Sequence, residues 1–461
     1  MPTQRTALLL VTLVISLAGC TQYTSAPLTL LNAHDALVSR GQMPLRLAIA
    51  AGDATTREWV PFAAEVQLDD GLTLSEANTL ALFYAPEVLT ARSEERVAGA
   101  QILQAGRLAN PELSVGPRLS TEDASLIFPA VLSWEVPVGG DRQAERALAT
   151  SQHQSSQWRV LATELTVLQD VRRRFIHLAA LTQGRAILDD FYRSSVELLN
   201  RLSVLQQAGE VDSVTLYLAR VEEQDAAVAV EEKVFEITQA SQELRQRLGL
   251  LPTVAVDLHV EPALFVLPEL PDANMEALQQ HPALQAAFAA YRSAEEALRL
   301  EVARQYPDLA MGPSLEVDDG DLSLGAEINL TLPLLDRNRG GIAVAAERRA
   351  AAREVYQRTL LELTHTATAA RLELQAAERF LTLHRTGALQ AAYETAQAVE
   401  LRLRTGLSNV VEVLTAQRAI ARAQLREVAL QEQASLARLR AALAEGVVLH
   451  LPDQSQERGG R

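Results

Sequence analysis

Four stretches of the chain alternate between apolar and polar residues, as a β-strand with one covered face does. The clearest runs from Leu322 to Leu332, where every second residue is apolar and Ser, Gly, Glu, Asn and Thr lie between. The turn sequence DDGD joins it to a similar preceding run. The alternation predicts strands at about 111–121, 126–137, 308–318 and 322–333.

Long stretches rich in Ala, Leu, Glu, Arg and Gln follow each pair of strands, and this composition is typical of long helices. The pattern predicts helices at about 141–207 and 338–404, each continuing after a glycine, to about 248 and 445. A helix of about 65 residues is on the order of 100 Å long, which exceeds the helices of compact bundles.

The chain consists of two copies of one unit, about 196 residues apart. Prolines and glycines match in register: Pro86 with Pro282, Pro111 with Pro307, Gly116 with Gly312, Pro137 with Pro333, and Gly209 with Gly406. Each copy begins with a shorter predicted helix, at about 73–108 and 272–305, and Thr73 with Glu76 fits a capping box at the first of them. Two strands and a long helical hairpin follow.

The apolar face of the strands must be shielded from water, and the predicted helices are too long and too polar to pack on it. The mature chain has no run of about 18 apolar residues, so a membrane crossing would use strands. Four strands leave open edges in lipid and are too few to close a barrel, so three chains are expected to share twelve strands. The alternative is a soluble sheet packed on a core.

A proline ends each predicted strand pair, at Pro137 and Pro333. Proline donates no backbone hydrogen bond and therefore suits the point where the ladder stops. The charged run that follows Pro333 marks where the chain leaves the lipid and enters water. Within this run, Asp336 suits the N-terminus of the next helix.

The N-terminus has the form of a bacterial lipoprotein signal. Residues 1–19 have a polar start, an apolar run too short to span a bilayer and small residues at the end. Leu17-Ala18-Gly19-Cys20 resembles a lipobox, which implies a lipid-modified, palmitate-bearing Cys20 and, with Thr21 next, sorting to the outer membrane. The alternative is a secreted protein with a free thiol. Cys20 is the only cysteine, so an internal disulfide is excluded.

Charge and composition exclude several classes of function. The formal net charge of −16 and the pI near 5.1 leave no dominant basic surface for nucleic acid. The eight histidines form no ligand-spaced cluster, so no metal site is predicted. The sequence has no phosphate loop, nucleophile elbow or catalytic triad, so we expect neither an enzyme nor a cofactor.

These patterns divide the chain into six segments. They are a signal peptide at 1–19, a lipid-anchored tether at 20–72, the first repeat at 73–248, an equatorial segment at 249–271, the second repeat at 272–446 and a tail at 447–461.

The runs LTLSEANTLALFYAPEV, ANPELSVGP, LPLLDRNRGG and LRTGLSNVVEVLTAQ together resemble the TolC-like outer membrane efflux channel family. The resemblance implies a mainly α fold with four β-strands per chain, in a homotrimer whose twelve-stranded barrel continues as a periplasmic helical barrel. It also implies a periplasmic adaptor and an inner-membrane pump as partners. The run PLLDRNRGGIA is most similar to the branch that serves heavy-metal cation pumps.

The resemblance also assigns roles at the periplasmic ends of the helical hairpins. Gly209 and the turn Gly406-Leu407-Ser408 are implied adaptor-docking tips. Glu412 and Thr415 fall where the family lines its periplasmic gate, and three copies of Glu412 would gather negative charge on the axis. The alternative for Glu412 is a solvated helix glutamate.

The expected function is a passive outer-membrane conduit for substrate delivered by a pump and an adaptor. Other functions remain open at this point: a drug efflux channel, a type I protein secretion channel, or a lipid-anchored periplasmic adaptor or coiled-coil scaffold. The alternating strands argue against the scaffold, because a scaffold has no need of lipid-facing strands.

Overall fold

The computed structural model describes residues 23–40, 45–46, 65–66, 72–119, 126–254, 270, 275–318, 321–404 and 410–446. The chain divides into two compact units, Met1–Met43 and Pro44–Arg461. The first unit contains helix α1, Leu30–Ser39, whose first turn is capped by Thr29. Cys20 lies outside the described residues.

The second unit is mainly helical. Its helices are α2 Leu74–Tyr84, α3 Pro86–Gln104, α4 Asp141–Gln207, α5 Ser213–Arg247, α6 Met275–Gln280, α7 Pro282–Ala303, α8 Arg339–His384, α9 Gln390–Arg404 and α10 Val410–Ala444. Its strands are β1 Leu45–Arg46, β2 Glu65–Val66, β3 Glu112–Val115, β4 Arg118–Leu119, β5 Leu126–Val136, β6 Leu309–Asp318 and β7 Asp321–Leu330. In the predicted 111–121 strand, Gly116 and Pro117 separate β3 from β4.

The main sheet joins the two repeats in one antiparallel array. The strand order is β3-β5-β6-β7, with β4 also paired to β5. The register places apolar residues opposite apolar residues across every pair: Leu113 with Leu132, Ala130 with Leu315, Trp134 with Met311, Met311 with Ile328, and Leu315 with Leu324. Because side chains alternate along a strand, this register gathers the apolar side chains on one face.

Among the described residues of the second unit, no element covers this apolar face. Val115, Leu324 and Ile328 are 64%, 78% and 67% exposed, and Trp134 is 47% exposed. The opposite face carries most of the polar residues, with Glu112 opposite Ser133 and Glu316 opposite Ser323. On β5 this face also includes Ile127, Pro129 and Val131. A contiguous apolar surface of this extent marks a site of contact with lipid or another apolar partner.

The main hydrophobic core lies where α2 meets the middle of α4 and the end of α5. It contains Leu72, Leu80, Val171, Phe175 and Leu248, all at most 1% exposed. The capping box of α2 is confirmed, because the Thr73 hydroxyl accepts from the Glu76 amide and the Glu76 carboxylate accepts from the Thr73 amide. The cap fixes the helix that closes this core.

The prediction of one helix before each strand pair was wrong. Both stretches contain two helices, and the second begins at a proline, Pro86 in α3 and Pro282 in α7. A proline blocks the preceding residue from helical geometry but suits the first position of a new helix. In α7, His281 caps the start, with its Nδ1 accepting from the Ala283 amide at 3.2 Å.

The junction from strand to helix differs from the expectation in one detail. Pro137 directly follows β5, and Pro333 lies three residues beyond the end of β7. Asp336 is not the cap of α8. Asn338 occupies that position with a left-handed φ of 54°, and the Asp336 carboxylate accepts from the Asn338 amide at 2.9 Å. The Asn338 side chain donates to the Glu301 carbonyl at 2.9 Å, which ties the junction to the end of α7.

The two long helices of the repeats are not equivalent. α4 is an uninterrupted α-helix of 67 residues. Its counterpart is divided into α8 and α9 by a π-helical turn, Arg385–Leu389. Gly387 lies in this turn, and a Cβ added there would meet nothing within 4 Å.

Within the described residues, none of the helices combines the length and the apolar character needed to cross a membrane.

Two glycines that end helices differ in how closely other atoms pack around them. Gly209 and Gly249 end α4 and α5 with φ values of +77° and +69°. A Cβ at Gly249 would lie 2.2 Å from the Tyr84 carbonyl oxygen, whereas one at Gly209 would meet nothing within 4 Å.

We expect Gly209→Ala to lower the free energy of unfolding by about 1–2 kcal/mol. Gly249→Ala should lower it by about 1–3 kcal/mol more, because it adds a clash to the backbone strain.

The measurement is thermal unfolding of the detergent-extracted protein, followed by circular dichroism. Equal destabilisation by the two substitutions would contradict this account of the core.

Candidate functional site at the tips of the helical hairpins

The tip of the first hairpin is a tight glycine turn. α4 ends at Gln207, and the Gly209 and Glu210 amides donate back to the Gln206 and Leu205 carbonyls at 3.0 and 2.9 Å. These bonds require the positive φ of Gly209. Asp212 then caps α5 by accepting from the Thr215 amide at 2.7 Å, and that hydrogen bond lowers the pKa of the Asp212 carboxyl.

The tip of the second hairpin is described only on its two sides. α9 ends at Arg404 and α10 begins at Val410, so the predicted tip residues Gly406, Leu407 and Ser408 lie outside the described residues. Glu412 stands in the first turn of α10, and Thr415 is exposed one turn later.

The two predicted gate residues have different local partners. A guanidinium nitrogen of Arg402 on α9 lies 3.6 Å from a carboxylate oxygen of Glu412. The Thr415 hydroxyl donates to the Val411 carbonyl of its own helix at 2.7 Å. Of the two predicted gate residues, Glu412 therefore carries a negative charge, with the Arg402 guanidinium beside it, and Thr415 carries no charge.

An ion pair between a buried carboxylate and a half-exposed arginine joins the two hairpins near their tips. Glu222 on α5 is 3% exposed, and its carboxylate accepts from Arg418 Nε on α10 at 2.6 Å and from Arg418 Nη2. The Glu222 carboxylate raises the pKa of the Arg418 guanidinium. Because an unpaired buried carboxylate is costly, this bidentate contact fixes α10 against α5.

A second link between the hairpins involves a histidine. His177 Nδ1 on α4 donates to the Glu432 carboxylate on α10 at 2.7 Å. This hydrogen bond raises the pKa of His177 above its ordinary value. The protonated form of His177 is therefore the form that the folded chain stabilises.

The sequence analysis missed Arg402, Arg418, Glu222 and the His177–Glu432 pair. The repeat does not pair these residues, because the offset at the tips is 197 residues, from Gly209 to Gly406, and the counterpart of Glu222 is therefore Ala419. Within the described part of the chain, no group of three or more potential metal ligands comes together.

The raised pKa of His177 predicts a pH dependence. A histidine whose folded pKa is raised contributes stability that is fully present below the unfolded pKa, near 6.5, and is lost as pH rises through the folded value. We expect the thermal midpoint of the parent protein to exceed that of His177→Gln more at pH 5.5 than at pH 8.5.

Glutamine keeps a hydrogen-bond donor at position 177 without titrating, so it serves as the control for simple loss of contact. A gap between the two midpoints that stays constant from pH 5.5 to 8.5 would contradict the contribution of His177.

Comparisons with known proteins bear on this arrangement. Residues 274–445 match the family model "Outer membrane efflux protein". The chain is 26% identical over 393 residues to the cobalt-zinc-cadmium resistance protein CzcC of Cupriavidus metallidurans, covering 82% of this chain and 90% of CzcC.

Solved structures of outer membrane channels share the fold. The outer membrane protein VceC of Vibrio cholerae has a TM-score of 0.66 at 17% identity, covering 82% of this chain and 97% of VceC. CusC has a TM-score of 0.68 at 15% identity, covering 81% and 92%. The Campylobacter jejuni channel CmeC has a TM-score of 0.68 at 14% identity, covering 95% and 96%.

The expected fold is therefore confirmed, and the expectation of a transport component rather than an enzyme holds for the family. The matched family model over residues 274–445, the CzcC relative and the shared fold together support the resemblance to TolC-like outer membrane efflux proteins that the sequence motifs indicated.

Proposed function

We propose that this outer membrane efflux protein is the passive conduit of a tripartite system and works as a homotrimer. The observation that carries the proposal is the main sheet, with one apolar face that is exposed and one polar face. Four strands cannot close on themselves around a channel, and open edges are not tolerated in lipid. Three copies supply twelve strands, with the apolar faces toward lipid and the polar faces toward the lumen.

The long helices determine the length of the proposed conduit. α4 extends for 67 residues from the strand junction, about 100 Å at 1.5 Å per residue. A pump in the inner membrane and a periplasmic adaptor would meet the far end of this tunnel. The proposed docking surface is the pair of hairpin tips, Gly209 and Gly406-Leu407-Ser408. At the first tip, a Cβ added at Gly209 would meet nothing within 4 Å, so this turn leaves room for a partner.

Cys20 anchors the mature chain to the outer membrane through its lipid in this proposal. The lipobox Leu17–Cys20 supports the assignment, as does the absence of any other cysteine. The anchor tethers the N-terminal segment and takes no part in conduction.

Heavy-metal cations are the proposed cargo. The support is the similarity to CzcC, whose name links it to cobalt, zinc and cadmium, and it extends over most of both chains. Because energy comes from the pump, the channel needs only to let cations pass. A drug efflux or type I secretion channel would share the fold and differ in cargo.

The cargo is tested in a strain that lacks the gene and in the same strain that expresses the chain again. Growth is measured on silver, copper, zinc, cobalt and cadmium, and on detergents and antibiotics. We expect loss of the gene to lower metal tolerance at least several-fold, with full recovery on re-expression.

A chain with Cys20→Ser and an ordinary cleavable signal is the control for the anchor. Sensitivity to organic compounds alone, with normal metal tolerance, would replace metal efflux by drug efflux.

The gate is proposed at Glu412, where three copies would surround the channel axis with negative charge. Glu412→Gln removes that charge and leaves Arg402, so we expect the cation-to-anion permeability ratio to fall several-fold in single-channel recordings. Arg402→Gln should change the ratio in the opposite direction, because it unmasks Glu412.

Glu394→Gln is the matched control for the gate, since Glu394 is a glutamate on the same hairpin, about two to three turns above Arg402 on α9. Ion selectivity that is the same in the parent, Glu412→Gln and Arg402→Gln would remove Glu412 from the gate.

A further inference from the structure

The segment that joins β7 to α8 exposes three leucines beside two arginines. Leu332 and Leu334 are 63% and 76% exposed, and Leu335 is fully exposed. Arg337 and Arg339 follow within four residues and are exposed as well. We call residues 332–339 the β7–α8 junction. Because exposed leucines lose the stabilisation that burial gives to apolar side chains, the junction requires an apolar partner.

The leucines of the junction continue the apolar face of the main sheet. Ile328 and Leu330 belong to that face on β7 and are more than half exposed. Leu332 follows Leu330 at the same spacing of two residues. In the proposed conduit this face contacts lipid. The junction therefore lies where the lipid-facing surface ends and the helical part begins.

Hydrogen bonds fix the shape of the junction without covering its side chains. The Leu334 amide donates to the Leu332 carbonyl at 2.8 Å, and the Asn338 amide donates to the Asp336 carboxylate at 2.9 Å. The Asn338 side chain donates to the Glu301 carbonyl of α7 at 2.9 Å. A ligand would thus meet an ordered segment, and this lowers the conformational entropy that binding costs.

The two arginines of the junction have no carboxylate partner among the described residues, unlike Arg349 on the same helix, which pairs with Glu295 at 3.3 Å. Arg337 donates from Nε to the Pro333 carbonyl at 3.4 Å. Two arginines and one aspartate give the junction an excess of positive charge. A guanidinium group presents its donors in a planar fork that matches a phosphate, so the charge favours a phosphate ligand.

The equivalent junction of the first repeat lacks this combination. The repeat offset of 196 residues places Gly139 at the position of Leu335 and Asp141 at the position of Arg337. A Cβ at Gly139 would lie 2.7 Å from the Ala303 carbonyl oxygen, so this position excludes a leucine. Of the two strand-to-helix junctions, only the second combines exposed leucines with exposed arginines.

An anionic phospholipid satisfies both parts of the junction. Its phosphate matches the guanidinium groups, and its acyl chains cover the leucines. A free phosphate ion would pair with the arginines but leave the leucines in water. The end of a lipid-facing surface is also the level at which basic side chains meet lipid phosphates in a membrane.

We propose that the β7–α8 junction binds one anionic phospholipid of the periplasmic leaflet, with Arg337 and Arg339 on its phosphate and Leu334 and Leu335 among its acyl chains. The inference rests on the proposed outer membrane conduit and adds a lipid site at the periplasmic end of its sheet. A trimer carries three such sites, and they fix the depth of the sheet in the membrane.

Native mass spectrometry of the full-length protein in mild detergent, with phosphatidylglycerol added, counts the bound lipids. The test variant is Arg337→Gln with Arg339→Gln, which removes both charges and keeps hydrogen-bond donors. The matched control is Arg348→Gln with Arg353→Gln. These two arginines are exposed on α8, about 14 and 21 Å further from the sheet than Arg339.

We expect the parent and the control to bind one phosphatidylglycerol per chain. The test variant should need about five-fold more lipid for half occupancy, because it has lost the charge-assisted hydrogen bonds to the phosphate. Phosphatidylcholine, whose choline neutralises its phosphate, should bind the parent several-fold more weakly. Leu334→Ser with Leu335→Ser should also weaken phosphatidylglycerol binding several-fold, and glycerol 3-phosphate should not displace the lipid from the parent.

Equal occupancy in the parent and in the test variant would overturn the lipid site alone. Displacement of the lipid by glycerol 3-phosphate would replace the phospholipid by a soluble phosphate ligand. Dissociation of the test variant into single chains without added lipid would assign the junction to contact between copies instead. A monomeric parent would contradict the proposed homotrimer, and the count of lipids per chain would still distinguish the parent from the test variant.

Discussion

The register of the main sheet is the constraint on which the rest of the molecule depends. Each antiparallel pair joins apolar residues to apolar ones, as Leu113 to Leu132 and Met311 to Ile328. A shift by one residue in any pair would send that strand's apolar side chains to the polar face. Next to the sheet, Asn338 fixes where α8 begins by donating to the Glu301 carbonyl of α7.

The helical hairpins are held in place by ion pairs as much as by apolar packing. Glu164 is paired with Arg92, Glu222 with Arg418 and Glu445 with Arg371, and each of these carboxylates is at most 3% exposed. Many of the buried positions along α8 and α10 are alanines, which allow close helix approach but bury little surface each. Paired buried charges therefore specify which helix positions are opposite each other, since a displaced helix would leave a carboxylate without its partner.

These features suit the proposed conduit, whose two ends must differ. The sheet exposes a broad apolar surface, whereas the helices near the tips expose separate apolar side chains such as Val214 and Leu401. The first surface is appropriate for contact with lipid. The π-helical turn that separates α8 from α9 occurs in only one of the two long rods, so the two hairpins of a chain are not interchangeable despite the repeat.

The sequence alone determined the periodic features of this protein, because the order of side chains sets the period-two alternation of the strands, the helix-forming composition of the rods and the repeat of about 196 residues. It therefore predicted the strand faces, the long rods and the capping box at Thr73. Only the tertiary structure decided features that depend on distant partners: the helix breaks at Pro86 and Pro282, the cap at Asn338 in place of Asp336, and the pairs Glu222–Arg418 and Glu412–Arg402. A single sequence states that a charge is present, but the energy of that charge depends on burial and on the arginine that reaches it. The fold brings each carboxylate and its arginine together, even when about 200 residues separate them in the sequence.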